Sequence, residues 1–105
     1  MELPYSPAAD RNKQAIFEVL SQYISEQNEM LEIASGTGQH AEYLCSRFPD
    51  LTWQPTDIEE QRLWSIDRRA QQSKLTNILG ARRLNVLAEW PRDQFDYIYL
   101  SLIHI

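Results

Sequence analysis

Apolar side chains recur at helical spacing over Ile16, Val19, Leu20, Tyr23 and Ile24, so the first stretch of the chain predicts a helix that buries this face. Ser6 followed by Pro7 supplies an N-cap and a first-turn proline, whose missing N–H has no helical partner to lose. The pattern then changes period. Met30 to Ala34 is an almost unbroken apolar run, as expected of a parallel strand covered on both faces, interrupted only by Glu32. A carboxylate in such a strand is costly unless something uses it, which makes Glu32 the first candidate functional residue. Ala41, Leu44, Cys45 and Phe48 return to helical spacing until Pro49-Asp50 breaks it, and Leu51 to Thr56 reads as a second strand. Glu59 to Ser73 reads as a surface helix turning Leu63, Ile66 and Ala70 inward. A third strand is expected near Arg82 to Leu87 and a fourth within Phe95 to Ile105.

Helix, strand, helix, strand, helix, strand, strand is the rhythm of an α/β fold with right-handed crossovers: a mostly parallel sheet with helices on both faces. Ligands of such sheets bind outside the carboxyl ends of the strands. The junction after the first strand carries the candidate chemistry. Gly36 and Gly38 remove the Cβ atoms that would hold a ligand off the backbone and permit turn dihedrals closed to other residues. Bare amides and a helix N-terminus are therefore expected to face a nucleotide cofactor. Asp57 follows about 20 residues on, at the end of the second strand, where a carboxylate meets ribose hydroxyls.

With 105 residues the chain amounts to one domain, 1–105, at the small end for an enzyme of this architecture. Apolar residues at 43% and charged residues at 24% exclude a disordered chain. The net charge of −5 argues against a nonspecific nucleic-acid binder, and the Arg68-Arg69 and Arg82-Arg83 pairs read as solvated faces. Cys45 is the one cysteine and shares a helical stripe with Ala41, Leu44 and Phe48, so it reads as core; a disulfide within the chain is excluded, and nothing suggests a thiolate metal site. No metal constellation stands out. The start Met-Glu-Leu-Pro-Tyr lacks a basic region followed by an apolar stretch, and no run reaches the ~18 apolar residues a membrane span needs. A cytoplasmic protein acting on a small molecule is expected.

The residues resemble class I S-adenosylmethionine-dependent methyltransferases, in which an acidic residue ends the first strand and a glycine turn follows: Glu32-x-Ala34-x-Gly36-x-Gly38 fits that pattern. More narrowly, Ala8-Ala-Asp-Arg-Asn-Lys13, Leu31-Glu-Ile-Ala-Ser-Gly-Thr-Gly-Gln-His40, Trp53-Gln-Pro-Thr-Asp57 and Ile103-His-Ile105 are similar to the methyltransferase-like 26 group. That group's proteins are longer. The resemblance thus implies the N-terminal, cofactor-binding half of a Rossmann-like class I methyltransferase fold, truncated after the fourth strand, with S-adenosylmethionine as cofactor. It implies that Ala34, Ser35 and Gly36 line the methionine end of the cofactor, with Gly38 completing the turn. Glu32 would brace the turn or reach the cofactor's amino group through water. Asp57 would take the ribose hydroxyls, Ile58 the adenine face, and Asn85 and Val86 the adenine edge. Ser101, on the fourth strand, and His104 are the candidates nearest the methyl acceptor. Two positions depart from the superfamily pattern: Ala34 stands where glycine is usual, and Asn85 where an aspartate is expected.

Methyl transfer from a sulfonium is an in-line displacement, so alignment is the main task and neither a nucleophile nor a metal is required. Arg11 and Asn12, with Asp10, stand at the start of the first helix, placed either to clamp a cofactor or substrate carboxylate or to cap the helix. His40 reads as helix packing or as a ligand contact, and Trp53, Trp64 and Trp90 as packing. Two rival readings remain. Gly36-x-Gly38-x-x-Ala41 also satisfies the fingerprint of an NAD-binding Rossmann protein. A non-catalytic truncated fragment is the other, and an unpaired apolar edge over Tyr97 to Ile105 would then favour self-association.

Overall fold

The computed structural model describes residues 3–24, 28–88 and 95–100. Seven elements follow the expected order: α1 (Pro7–Leu20), β1 (Glu29–Ile33), α2 (Gln39–Arg47), β2 (Thr52–Asp57), α3 (Glu60–Ser73), β3 (Arg82–Arg83) and β4 (Tyr97–Leu100). The strands pair in parallel in the order β3-β2-β1-β4. Register is set by Met30 opposite Trp53 on one side and Tyr97 on the other. This is the expected α/β fold, with β1 in the middle and the carboxyl ends of all four strands at one edge.

Right-handed crossovers from β1 to β2 and from β2 to β3, which step in the same direction, put α2 and α3 on one face of the sheet. The helices touch in series, α1 on α2 and α2 on α3. Among the described residues they form a single layer, so the expected helical cover is seen on one face. The return from β3 to β4 crosses to the far side of β1 through residues 84–96, of which 89–94 lie outside the described ones. No helix among the described residues is long and apolar enough to cross a membrane.

The core lies between sheet and helices. Met30, Ala41, Leu44, Cys45, Leu51 and Trp53 are buried together, and Ile16, Phe17 and Leu20 of α1 pack against them. Ser6 caps α1 as its sequence predicts, its hydroxyl accepting from the Ala9 amide. The inward face of α1 departs from expectation. Val19 and Tyr23 are exposed, at 55% and 67%, while Phe17 turns inward against the rings of Tyr43 and Phe48. Tyr23 lies beyond the last helical residue, and the aromatic contact with α2 rotates the buried stripe away from Val19. Trp64 also departs: expected in packing, it is half exposed.

The third strand is shorter than the Arg82 to Leu87 expected. Only Arg82 and Arg83 pair with β2, because Asn85 ends the ladder by accepting the Leu87 amide on its side-chain oxygen while its carbonyl accepts from Ala88. Inside β2, Pro55 brings no N–H to the side facing residues 77–81. The Gln54 side-chain amide stands in for it, donating to the Gly80 carbonyl at 2.8 Å.

Candidate functional site

Strand β1 leaves the sheet at Ala34, and the five residues from Ala34 to Gly38 alternate into left-handed backbone: φ is +59° at Ala34, +62° at Gly36 and +81° at Gly38. The turn is locked to the end of β2. The Ser35 amide donates to the Thr56 carbonyl (2.8 Å), the Thr56 amide to the Ser35 hydroxyl (3.1 Å), and the Gly36 amide to Oδ2 of Asp57 (2.9 Å). Gly38 donates to the Ser35 carbonyl at 3.0 Å. This corrects the expectation of bare amides. The donors of Ser35, Gly36 and Gly38 are satisfied within the protein, since a turn half-buried at the sheet edge leaves backbone groups unpaired only at a cost.

The two glycines separate in role. A Cβ on Gly36 would come no closer to other atoms than 4.0 Å, at the Ala34 carbonyl oxygen, so this glycine keeps open the side of the turn that a ligand could approach. A Cβ on Gly38 would sit 3.3 Å from the Ile66 Cα. Gly38 therefore lets the turn approach α3, a packing role.

Asp57 is 1% exposed and works as a clamp. Its Oδ2 holds the Gly36 amide, its Oδ1 accepts from the Glu59 amide at 3.1 Å, and Arg62 stands 3.8 Å from Oδ2 while pairing with Glu59. A carboxylate offers about four lone-pair sites, so these bonds leave acceptor capacity for a further donor. Ile58 follows it into solvent, about half exposed. The Leu84 amide bonds the Asp57 carbonyl at 3.0 Å, which sets Asn85 and Val86 beside that strand end. Asn85, whose oxygen was expected to meet an adenine, already accepts the Leu87 amide with it.

Glu32 is wholly buried on the helix side of the sheet, its Oε1 accepting from the Trp53 indole at 2.9 Å. Thr56 ties its hydroxyl to the Glu32 carbonyl at 2.6 Å, so the residue braces β1 against β2. Tyr99, which sequence reasoning missed, completes this corner from β4. Its phenol is pushed up to about 12 by burial and by the charge of Glu32, and its hydroxyl lies 3.3 Å from Nδ1 of His40. Burial holds the His40 imidazole below its ordinary range, against a partly opposing contact with the Ala9 main chain. The alternation Tyr97, Tyr99 along the strand was the available signal. Cys45 sits in the core, its thiol pushed up by burial and by Glu32, and offers no nucleophile.

At the start of α1, Arg11 and Asn12 are exposed, and hydrogen bonds from Lys13 and Tyr5 hold the Asp10 carboxyl below its usual range. Two further residues missed in the sequence join this region to the turn. Gln39 bonds both the amide and the carbonyl of Ser6, and Arg69 donates to the carbonyls of Thr37 and Pro4. The structure thus gathers Glu32, Ala34, Ser35, Gly36, Asp57, Ile58, Asn85 and Val86 along one edge, with the start of α1 tethered nearby. Ser101, His104 and Trp90 lie outside the described residues. The arrangement leaves acceptor capacity on Asp57 beside the open face of Gly36.

Solved structures that share this fold include methyltransferases. Coclaurine N-methyltransferase, bound to N-methylheliamine and SAH, superposes with a TM-score of 0.76 at 11% identity, over 93% of this chain and 30% of its own. Precorrin-6y C5,15-methyltransferase from Geobacter metallireducens gives 0.72 at 12% identity, over 94% of this chain and 53% of its own. PKMT2 from Rickettsia typhi, in complex with AdoHcy, gives 0.60 at 19% identity, over 70% of this chain and 14% of its own. The chain therefore spans between about a seventh and a half of the length of these proteins. Residues 3–105 match the family model described as a protein of unknown function, DUF938, and the chain belongs to that family.

Proposed function

We propose that this chain is the S-adenosylmethionine-binding portion of a class I methyltransferase that acts on a small-molecule acceptor. The observation that carries the reading is the left-handed turn at Ala34–Gly38, clamped by Asp57 at the carboxyl edge of the sheet and open on the Gly36 side, where a Cβ would stand. The coclaurine enzyme and PKMT2, which share the fold, were crystallised with the demethylated cofactor, and this supports the same ligand here. The four segments similar to the methyltransferase-like 26 group support the narrower affiliation.

When bound, the cofactor supplies an electrophilic methyl on a sulfonium. Ala34, Ser35 and Gly36 would receive its methionine end, and the remaining lone pairs of Asp57 would accept from the ribose. Ile58 would cover the adenine face, with Asn85 and Val86 at its edge. Arg11 and Asn12 stand to meet a carboxylate of the cofactor or substrate. Ser101 and His104 are the candidates on the acceptor side. The buried Glu32 would act indirectly, by bracing the strand that carries the turn. We place the protein in the cytoplasm. The free side of β4 is an edge among the described strands, and we expect the 105-residue chain to self-associate there; a monodisperse monomer in sedimentation would count against it.

Isothermal calorimetry with S-adenosylhomocysteine and with NAD tests the main reading. Uptake of S-adenosylhomocysteine, lost in Gly36→Val, is the expected result. Uptake of NAD alone would move the protein to the nicotinamide class.

A further inference from the structure

We infer that Arg69 and Gln39 are positioning residues that hold residues 3–6 as a strap over the glycine turn, and that closure of this strap is coupled to occupancy of the site. One guanidinium joins two segments remote in sequence: Nε of Arg69 donates to the Thr37 carbonyl at 2.9 Å, and Nη2 donates to the Pro4 carbonyl. Gln39 ties the same pair. Its Oε1 accepts both from the Ser6 amide and from the Thr37 hydroxyl (2.8 Å), and its Nε2 donates to the Ser6 carbonyl (3.2 Å). Ser6 in turn caps α1, so the turn, the strap and the first turn of α1 are one connected unit.

Little apolar burial holds the strap in place. Pro4 is exposed, Tyr5 is 58% exposed, and Leu3 alone of its apolar side chains is half-buried. Its outer flank borders an open groove of about 310 Å³, lined by Tyr5, Asp10, Lys13, Tyr43 and Ser46 besides the two tethering side chains. A segment with only one half-buried apolar side chain takes its position mainly from its polar tethers, and these end on Thr37 and Gln39, within three residues of Gly36. A ligand that fixes the turn fixes the tethers, and by linkage a closed strap tightens ligand binding. The coupling rests on the cofactor reading above; the clasp between strap and turn rests on geometry alone.

Hydrogen exchange on the whole chain, with and without S-adenosylhomocysteine, tests both parts. In the wild type the ligand should slow exchange at the Ser6 and Ala9 amides. Without ligand, Arg69→Ala should speed exchange at Ser6 about tenfold, the equivalent of one lost charge-assisted bond, while Leu31 in the central strand is unchanged. Arg69→Lys keeps the charge and the helix, but a single ammonium does not reproduce the planar fork that spans both carbonyls, so its affinity for S-adenosylhomocysteine should fall by about five- to tenfold. Unchanged Ser6 exchange in Arg69→Ala overturns the clasp. Wild-type affinity in Arg69→Lys overturns the coupling while leaving the cofactor reading intact. A wild-type chain that takes up no S-adenosylhomocysteine overturns the cofactor reading and the coupling together.

Discussion

Three residues of one turn share a backbone conformation but not a reason for it. Ala34 is the strained member: an L-residue in the left-handed region costs roughly 1–2 kcal/mol, and glycine would remove that cost at about 0.4–1 kcal/mol of unfolded-state entropy. Ala34→Gly should therefore raise the unfolding free energy by about 0.5 kcal/mol. Gly36→Ala meets the dihedral cost, offset by the same entropy term, and should lose about 0.5 kcal/mol. Gly38→Ala adds a contact at 3.3 Å with the α3 backbone and should lose roughly 2–3 kcal/mol. Urea unfolding of the three variants checks the order, and equal losses for Gly36 and Gly38 would contradict it. The glycine pair was legible in the sequence. Which of the two α3 requires to be bare was not, because Ile66 is the deciding neighbour.

Regular elements were readable where their pattern was local. The cap and proline at Ser6-Pro7, the period of α2 and the turn signal at Pro49-Asp50 all lie within a few positions of the structure they cause. The misreadings came where a neighbour intervened: the rings of α2 rotated the face of α1, and the Asn85 turn cut β3 short. Strand β2 carries its own repair, with Gln54 supplying the donor that Pro55 lacks. Gln54→Ala should leave the Gly80 carbonyl without this bond and cost about 1–3 kcal/mol. The check is the urea midpoint at constant m-value; a loss under about 0.5 kcal/mol would mean that solvent replaces the amide.

Across the molecule, β1, β2, α2 and β4 converge on one buried polar corner of Glu32, Trp53, His40 and Tyr99. Burial sets its pH response. The His40 pKa in the fold lies below its ordinary 6.5, so the unfolded chain takes up the proton first. Its contribution to stability is complete above that value and is lost as pH falls through the window beneath it. Unfolding free energy should thus decline as pH falls below about 6.5, and His40→Gln should flatten the decline. An unchanged slope in the variant would remove His40 as its source.

Periodicity, caps and turn residues act between neighbours along the chain, and so the helices, the central strands, the glycine turn and Asp57 at its strand end could be placed from residue order alone. The partners of those residues could not. Gly38 against Ile66, Glu32 beneath Trp53, and Arg69 joining Pro4 to Thr37 are contacts between segments remote in sequence. Strand order and helix packing create them. The same folding turned the expected bare amides into satisfied ones, because a turn brought down on the end of β2 finds acceptors that its own sequence does not contain.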